Sequence, residues 1–235
     1  MTVAVNDIVD KVELVLQDTT NVRWAAAELV KWLNDAQREI VKEKPEANVT
    51  TTAVQLSAGT KQALPTGGLI LIDVIRNMGT DGTTAGNTIR IIDRRILDAN
   101  VPDWHNTKYA KQYVNNYTYD ENNPLVYFVT PPSDGNNYIE IAYSYTPSAA
   151  SAGGNIGLAD IYETSIIDFM LYRAYSKDAD FAPNATRAIQ HYQAFLISLG
   201  QQDKAEKLFD PNIGLHPYRK PGSATTTTTK TTSAE

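Results

Sequence analysis

The sequence predicts an α+β fold. N- and C-terminal helix pairs pack together as a helical bundle, an antiparallel β-sheet or small barrel is inserted between them, and an extended C-terminal arm follows. Three observations carry this. Apolar residues recur every three or four positions near both ends of the chain. Between them the period drops to two, in short runs bounded by Gly, Pro, Asn and Asp. Beyond Phe209 the pattern dissolves into a Thr-rich stretch that cannot build a core of its own. The corresponding segments are 1–48, 49–147, 148–209 and 210–235.

Ile8, Val12 and Val15 fall at i, i+4 and i+7 and share one face of a short first helix, which Asp18, Thr19, Thr20 and Asn21 end as turn and capping residues. A second helix is predicted over residues 22–44, with Leu29, Leu33, Ala36 and Ile40 as its stripe. Pro45 stops it, because proline disfavours helical geometry in the residue before it. Leu33 and Ile40 are expected in the core, while Trp32, which flanks the stripe, is a candidate subunit contact.

Residues 53–57 read as a short strand, 59–62 as a turn, and a second short strand ends at Pro65. The nearly continuous β-branched run at 69–75 predicts a well-buried strand. Asp81-Gly82 and Ala85-Gly86-Asn87 loosen the connection to a strand at 88–92. Residues 93–100 suit one or two helical turns, broken after Pro102. Strands at 113–119, 125–130 and 138–146 follow, separated by turns at 120–124 and 131–135. The last alternates Ile139, Ile141, Tyr143 and Tyr145 against Glu140, Ala142 and Ser144. Hairpin spacing of this kind implies antiparallel pairing rather than βαβ units.

After a loose linker at 148–157, a helix over 161–177 turns Ile166, Met170 and Ala174 inward, with Ile167, Leu171 and Tyr175 adjoining. Pro183 fits the first turn of the last helix, whose stripe reads Ile189, Tyr192, Leu196 and Leu199. Helices with single apolar stripes cannot stay exposed, and each pair offers a stripe that the other can cover.

Composition narrows the function. The 235 residues include no cysteine, which excludes disulfide scaffolds, thiol enzymes and thiolate metal sites. With neither a signal-peptide run nor a long apolar stretch, the chain reads as a soluble protein made in a cytoplasm, without a membrane partner. A net charge of -6 opposes ordinary nucleic-acid binding, which draws on Lys and Arg. His105, His191 and His216 lie far apart with no metal-ligand spacing, so surface or packing roles are expected. Gly67-Gly68 leads into a strand rather than a helix, and no nucleophile elbow occurs. Arg76, Arg90, Arg94 and Arg95 form the densest basic cluster and are expected to pair with carboxylates rather than DNA. Tyr109, Tyr113, Tyr117, Tyr119, Tyr127 and Phe128 could stack bases, but Asn, Asp and Glu lie between them, which favours core and interface roles. No catalytic residue, cofactor or metal ligand is predicted.

The order of segments resembles a known family. The stretch Trp24, Leu29, Trp32-Leu33-Asn34-Asp35-Ala36-Gln37-Arg38-Glu39-Ile40, closed by Pro45, resembles the opening helical pair of tailed-bacteriophage head-to-tail adaptor (connector) proteins. Pro124, Phe128, Pro131-Pro132 and residues 139–144 are similar to that family's sheet. Residues 166–178, with Ala188 and Phe195, resemble its last helical pair. The likeness covers about residues 5–205 and leaves the tail outside it.

The resemblance implies a virion protein of the neck: a ring, typically dodecameric, below the portal, joining capsid to tail and continuing the DNA channel. Implied partners are the portal protein, neighbouring adaptor subunits and tail proteins below (nozzle, tail terminator or second connector). Double-stranded DNA would pass without sequence-specific binding, and an acidic lumen would let it slide. A tail or baseplate subunit and a small carbohydrate- or peptide-binding module are the alternatives. The tail is expected to be disordered when free and ordered on assembly. Leu215, Pro217 and Tyr218 would anchor it on the portal or a neighbouring subunit, and Arg219, Lys220 and Lys230 would meet an acidic surface.

Overall fold

The computed structural model describes residues 3–209, apart from 121, 179 and 181. Among these the fold is α+β, with five α-helices and two β-sheets. The chain opens with α1 (Val5–Leu16) and α2 (Ala26–Glu43). The strands are β1 (Val49–Gln55), β2 (Gly59–Ala63), β3 (Gly68–Asn77), β4 (Arg90–Ile91), β5 (Asn116–Tyr119), β6 (Val126–Ser133) and β7 (Tyr138–Tyr145). The short helix α3 (Arg94–Asn100) lies between β4 and β5, and α4 (Glu163–Lys177) and α5 (Ala182–Phe209) follow the last strand.

Residues of α1, α2, α4 and α5 share one apolar core. In α1 the inward positions are Val5, Ile8, Val9 and Val12; Val15, expected inside, is half exposed. The second helix starts at Ala26, later than its sequence pattern suggests. The Asp18 carboxylate accepts hydrogen bonds from the amides of Val22, Arg23 and Trp24, which holds those residues in a turn and sends Trp24 into the core. Leu29, Leu33, Ala36 and Ile40 are fully buried. Trp32 is not a surface contact in this chain: it lies in the same core, with the Lys177 ammonium 5.9 Å above its ring.

Ile166, Met170 and Ala174 of α4 are fully buried. In α5 the inner face is Ala188, Phe195 and Leu199, whereas Ile189 and Leu196 of the expected stripe are exposed. A shift of one residue rotates a helix face by about 100°. Phe195, packed 5.3 Å from Phe169, sets the rotation, and the Tyr192 ring meets Tyr172 at 4.9 Å.

The β region departs from a barrel. Its strands form two separate sheets, in the orders β1-β7-β3 and β2-β6-β5-β4. Pairing is antiparallel except between β4 and β5, which run parallel because the 92–115 excursion carries the chain back to the start of β4. Between the sheets lies a second core: Leu71, Val74, Ile139, Ile141 and Tyr143 from the first, Tyr117, Tyr127 and Val129 from the second. Leu69 and Ala47 pack against the helical core.

Three local expectations fail for stated reasons. β2 occupies the segment read as a turn, and its buried residues, Thr60 and Gln62, are polar and hide the strand. β6 continues through Pro131 and Pro132, because the register break opposite Gly59–Lys61 frees that segment from donating to β2. β3 is only half buried: register shifts against β7 insert extra residues, so burial falls at Leu71, Val74 and Asn77, every third position.

Candidate interaction surfaces

Of the three histidines, His105 and His191 lie among the described residues, each against an aromatic ring. His191 Nδ1 lies 3.0 Å from Asp168 Oδ1, and its ring stacks on Tyr175 at 5.7 Å. His105 stacks on Trp104 at 3.6 Å, with its Nδ1 2.7 Å from Thr60 Oγ1. No group of metal-ligating side chains converges among the described residues, and no described helix is long and apolar enough to cross a membrane. The functional reading therefore turns on surfaces.

The first surface is built by the excursion after β4. Asp93 caps α3, accepting from the Arg95 amide at 2.7 Å. Leu97 and Trp104 are buried beneath it, with Trp104 Nε1 donating to Asp98 at 2.9 Å and the indole meeting Phe128 edge-on at 6.2 Å. Those ties fasten the excursion, on which Ile96, Val101, Tyr109 and Tyr113 are exposed, as is Ile91 at the sheet edge before it.

The predicted basic cluster divides there. Arg76 pairs with Glu140 at 2.7 Å, and Arg94 lies 3.6 Å from Asp98 and over the Phe128 ring. Arg90 and Arg95 are exposed and reach no carboxylate among the described residues. The Lys108 and Lys111 ammoniums sit over Tyr109 and Tyr113. The six aromatic residues do not form one platform, since Tyr117 and Tyr127 are buried while Tyr109 and Tyr113 are exposed.

The second surface is the outer face of α1. Asp7, Asp10 and Leu14 point outward, Val15 is half exposed at the end of the inward stripe, and Val22 projects from the turn that follows. Lys11, on the same side, pairs with Glu163 of α4. The third is the outer side of α5, where Ile189, Leu196 and Ile197 are exposed and no charged residue occurs between Arg187 and Asp203. A groove of about 370 Å³, floored by Val41, Pro45, Leu69, Ile70 and Pro147, marks the seam between the helical core and β3.

Two carboxylates each tie down a turn. Asp81 accepts from the hydroxyls and amides of Thr83 and Thr84, which hold its carboxyl far below the usual range. Asp18 is held low chiefly by the Trp24 amide, helped by those of Arg23 and Val22. Buried Tyr117 is pushed up by loss of solvent first and by the neighbouring Asp73 charge second.

The tail residues singled out in the sequence, Leu215, Pro217, Tyr218, Arg219, Lys220 and Lys230, lie outside the described residues, as does His216. The exposed α3 and α1 faces were not anticipated as surfaces. Their signal was present in Ile96 preceded by two arginines, and in Leu14, off the α1 stripe and in line with Asp7 and Asp10. The model of a protein family described as SU10 adaptor protein matches residues 3–214. No curated protein matches the chain.

Proposed function

This chain belongs to the SU10 adaptor protein family, a family of phage head-to-tail adaptors, and from that premise we propose that it forms a ring, dodecameric by the family resemblance, seated below the portal. In this reading it is a virion protein of the neck that joins capsid to tail and continues the DNA channel. The observation that carries it is the extent of the match: residues 3–214 span the helical core, both sheets and the start of the tail segment. The exposed aliphatic group Ile189, Leu196 and Ile197 on the outer side of α5 supports an assembly role, because contiguous apolar patches mark places that a partner covers.

The tail is assigned the role of an arm. Leu215, Pro217 and Tyr218 seat it on the portal or on a neighbouring subunit, and Arg219, Lys220 and Lys230 face acidic groups there. The test is assembly with the portal protein of the same phage, read by electron microscopy of particles and by native mass measurement. A ring of this chain below the portal is expected, and a chain truncated after Phe209 should fold but incorporate poorly. Absence of the chain from the neck would overturn the reading; equal incorporation of both chains would remove the arm.

A further inference from the structure

We propose that the β4–α3 face of one copy docks on the outer face of α1 of the next copy, an inference that rests on the ring reading above and names the two surfaces that build it. The faces are complementary in both respects that matter. One offers exposed Ile96 next to Arg95 on α3, with Arg90 exposed on the edge strand β4 before it, cations that reach no carboxylate among the described residues. The other offers exposed Leu14 between Asp7 and Asp10, carboxylates that reach no cation at salt-bridge distance among the described residues, the neighbouring Lys11 being paired with Glu163. Apolar centres with charges of opposite sign at their rims are what an interface between subunits requires.

The two faces cannot satisfy one another within a chain. The inward side of α1 belongs to the helical core, whereas the excursion bearing α3 is fastened to Phe128 and Thr60 of the second sheet. Joining different patches on successive copies gives a head-to-tail contact, the kind that closes into rings. Both faces are also held rigidly, the first by Asp93, Asp98 and Trp104 and the second by the Lys11–Glu163 pair, so little ordering is lost on docking. A protein partner suits the first face better than DNA does: its centre is aliphatic, while phosphate binding rests on cations alone.

Charge exchange tests it, in the full chain, by sedimentation velocity with and without the portal protein. Arg90→Glu with Arg95→Glu should weaken self-association about tenfold or more, as should Asp7→Lys with Asp10→Lys. The chain carrying all four substitutions should regain association, with circular dichroism confirming that each variant folds. Reversals without effect on association, or a fourfold variant as weak as either pair, overturn the proposal while a wild-type ring leaves the adaptor reading standing. No wild-type ring with portal removes that reading first. Duplex DNA binding lost in Arg90→Glu with Arg95→Glu, at unchanged association, assigns the cations to DNA and also overturns it.

The cysteine-free sequence permits an independent check. Chains carrying Ile96→Cys and Leu14→Cys, mixed and mildly oxidised, should form a mixed disulfide dimer, and neither should do so alone. Dimers equally abundant in each separate sample would place like faces together and contradict the head-to-tail contact.

Discussion

The helical core and the β region differ in the share of polar side chains they bury. In the helical core the buried side chains are mostly apolar, the buried polar ones being few: Gln37 accepts from the Gly157 amide and Ser165 meets Ser198, while the ionic ties sit at the rim, Lys11–Glu163, Arg23–Asp178 and Lys177–Glu28. The β region has short strands and long connections, whose backbone groups need partners from elsewhere. Asn77 supplies them from inside the core: its amide nitrogen donates to the carbonyls of Val114 and Asn87, and its oxygen accepts from the Val114 amide. Gln62 does the same for Ser57 and Gly59. Apolar fit therefore makes up more of the first interior and polar satisfaction more of the second.

The largest effect should come from the apolar region. Leu33→Ala removes a fully buried side chain and is expected to cost about 2–5 kcal/mol. Chemical denaturation of the variant measures it, and an unchanged midpoint would show that the helical core does not depend on shape. Asn77→Leu, close in volume, should cost about 2–3 kcal/mol, because each buried backbone group it strands loses about 1–3 kcal/mol. If that variant is as stable as wild type, the contrast between the cores fails.

Two buried tyrosines sharpen the comparison within the β core. Tyr117 donates from its hydroxyl to Asp73 at 2.9 Å, while the buried Tyr127 hydroxyl has no hydrogen-bond partner among the described residues. Tyr117→Phe should cost about 1–2 kcal/mol, and Tyr127→Phe should be neutral or stabilising by up to about 1 kcal/mol. Thermal melts of the two variants ought to shift in opposite directions, or one should not shift at all; equal losses would mean that packing alone governs both sites.

The smallest effect concerns the turn at the edge of the helical core. The folded Asp18 carboxyl sits below its unfolded value of about 4. Its contribution is therefore complete above about pH 4 and is lost as pH falls through the lower folded value. Asp18→Ala should lower Tm at neutral pH, and the gap to wild type should close in strong acid. A gap independent of pH would trace the effect to the turn's geometry rather than to its charge.

The sequence by itself determined the α+β class, the order of its segments and most of the core. Its period of three to four placed Ile8, Leu33, Ile40 and Met170 inside, since a regular helix repeats its geometry at every turn. The alternation in β7 was equally plain, because that central strand pairs in regular register on the β1 side. Tertiary structure decided what period cannot encode. The rotation of α5 was settled by the fit of Phe195 against Phe169, which made Leu196 a surface residue. The bulges of β3 set its burial period to three, and the polar interior of β2 concealed a strand. The interaction faces lie in the same class: Arg95 and Asp10 stand out only once folding has shown which of their neighbours find partners, since ion pairing depends on distances between segments far apart in the chain.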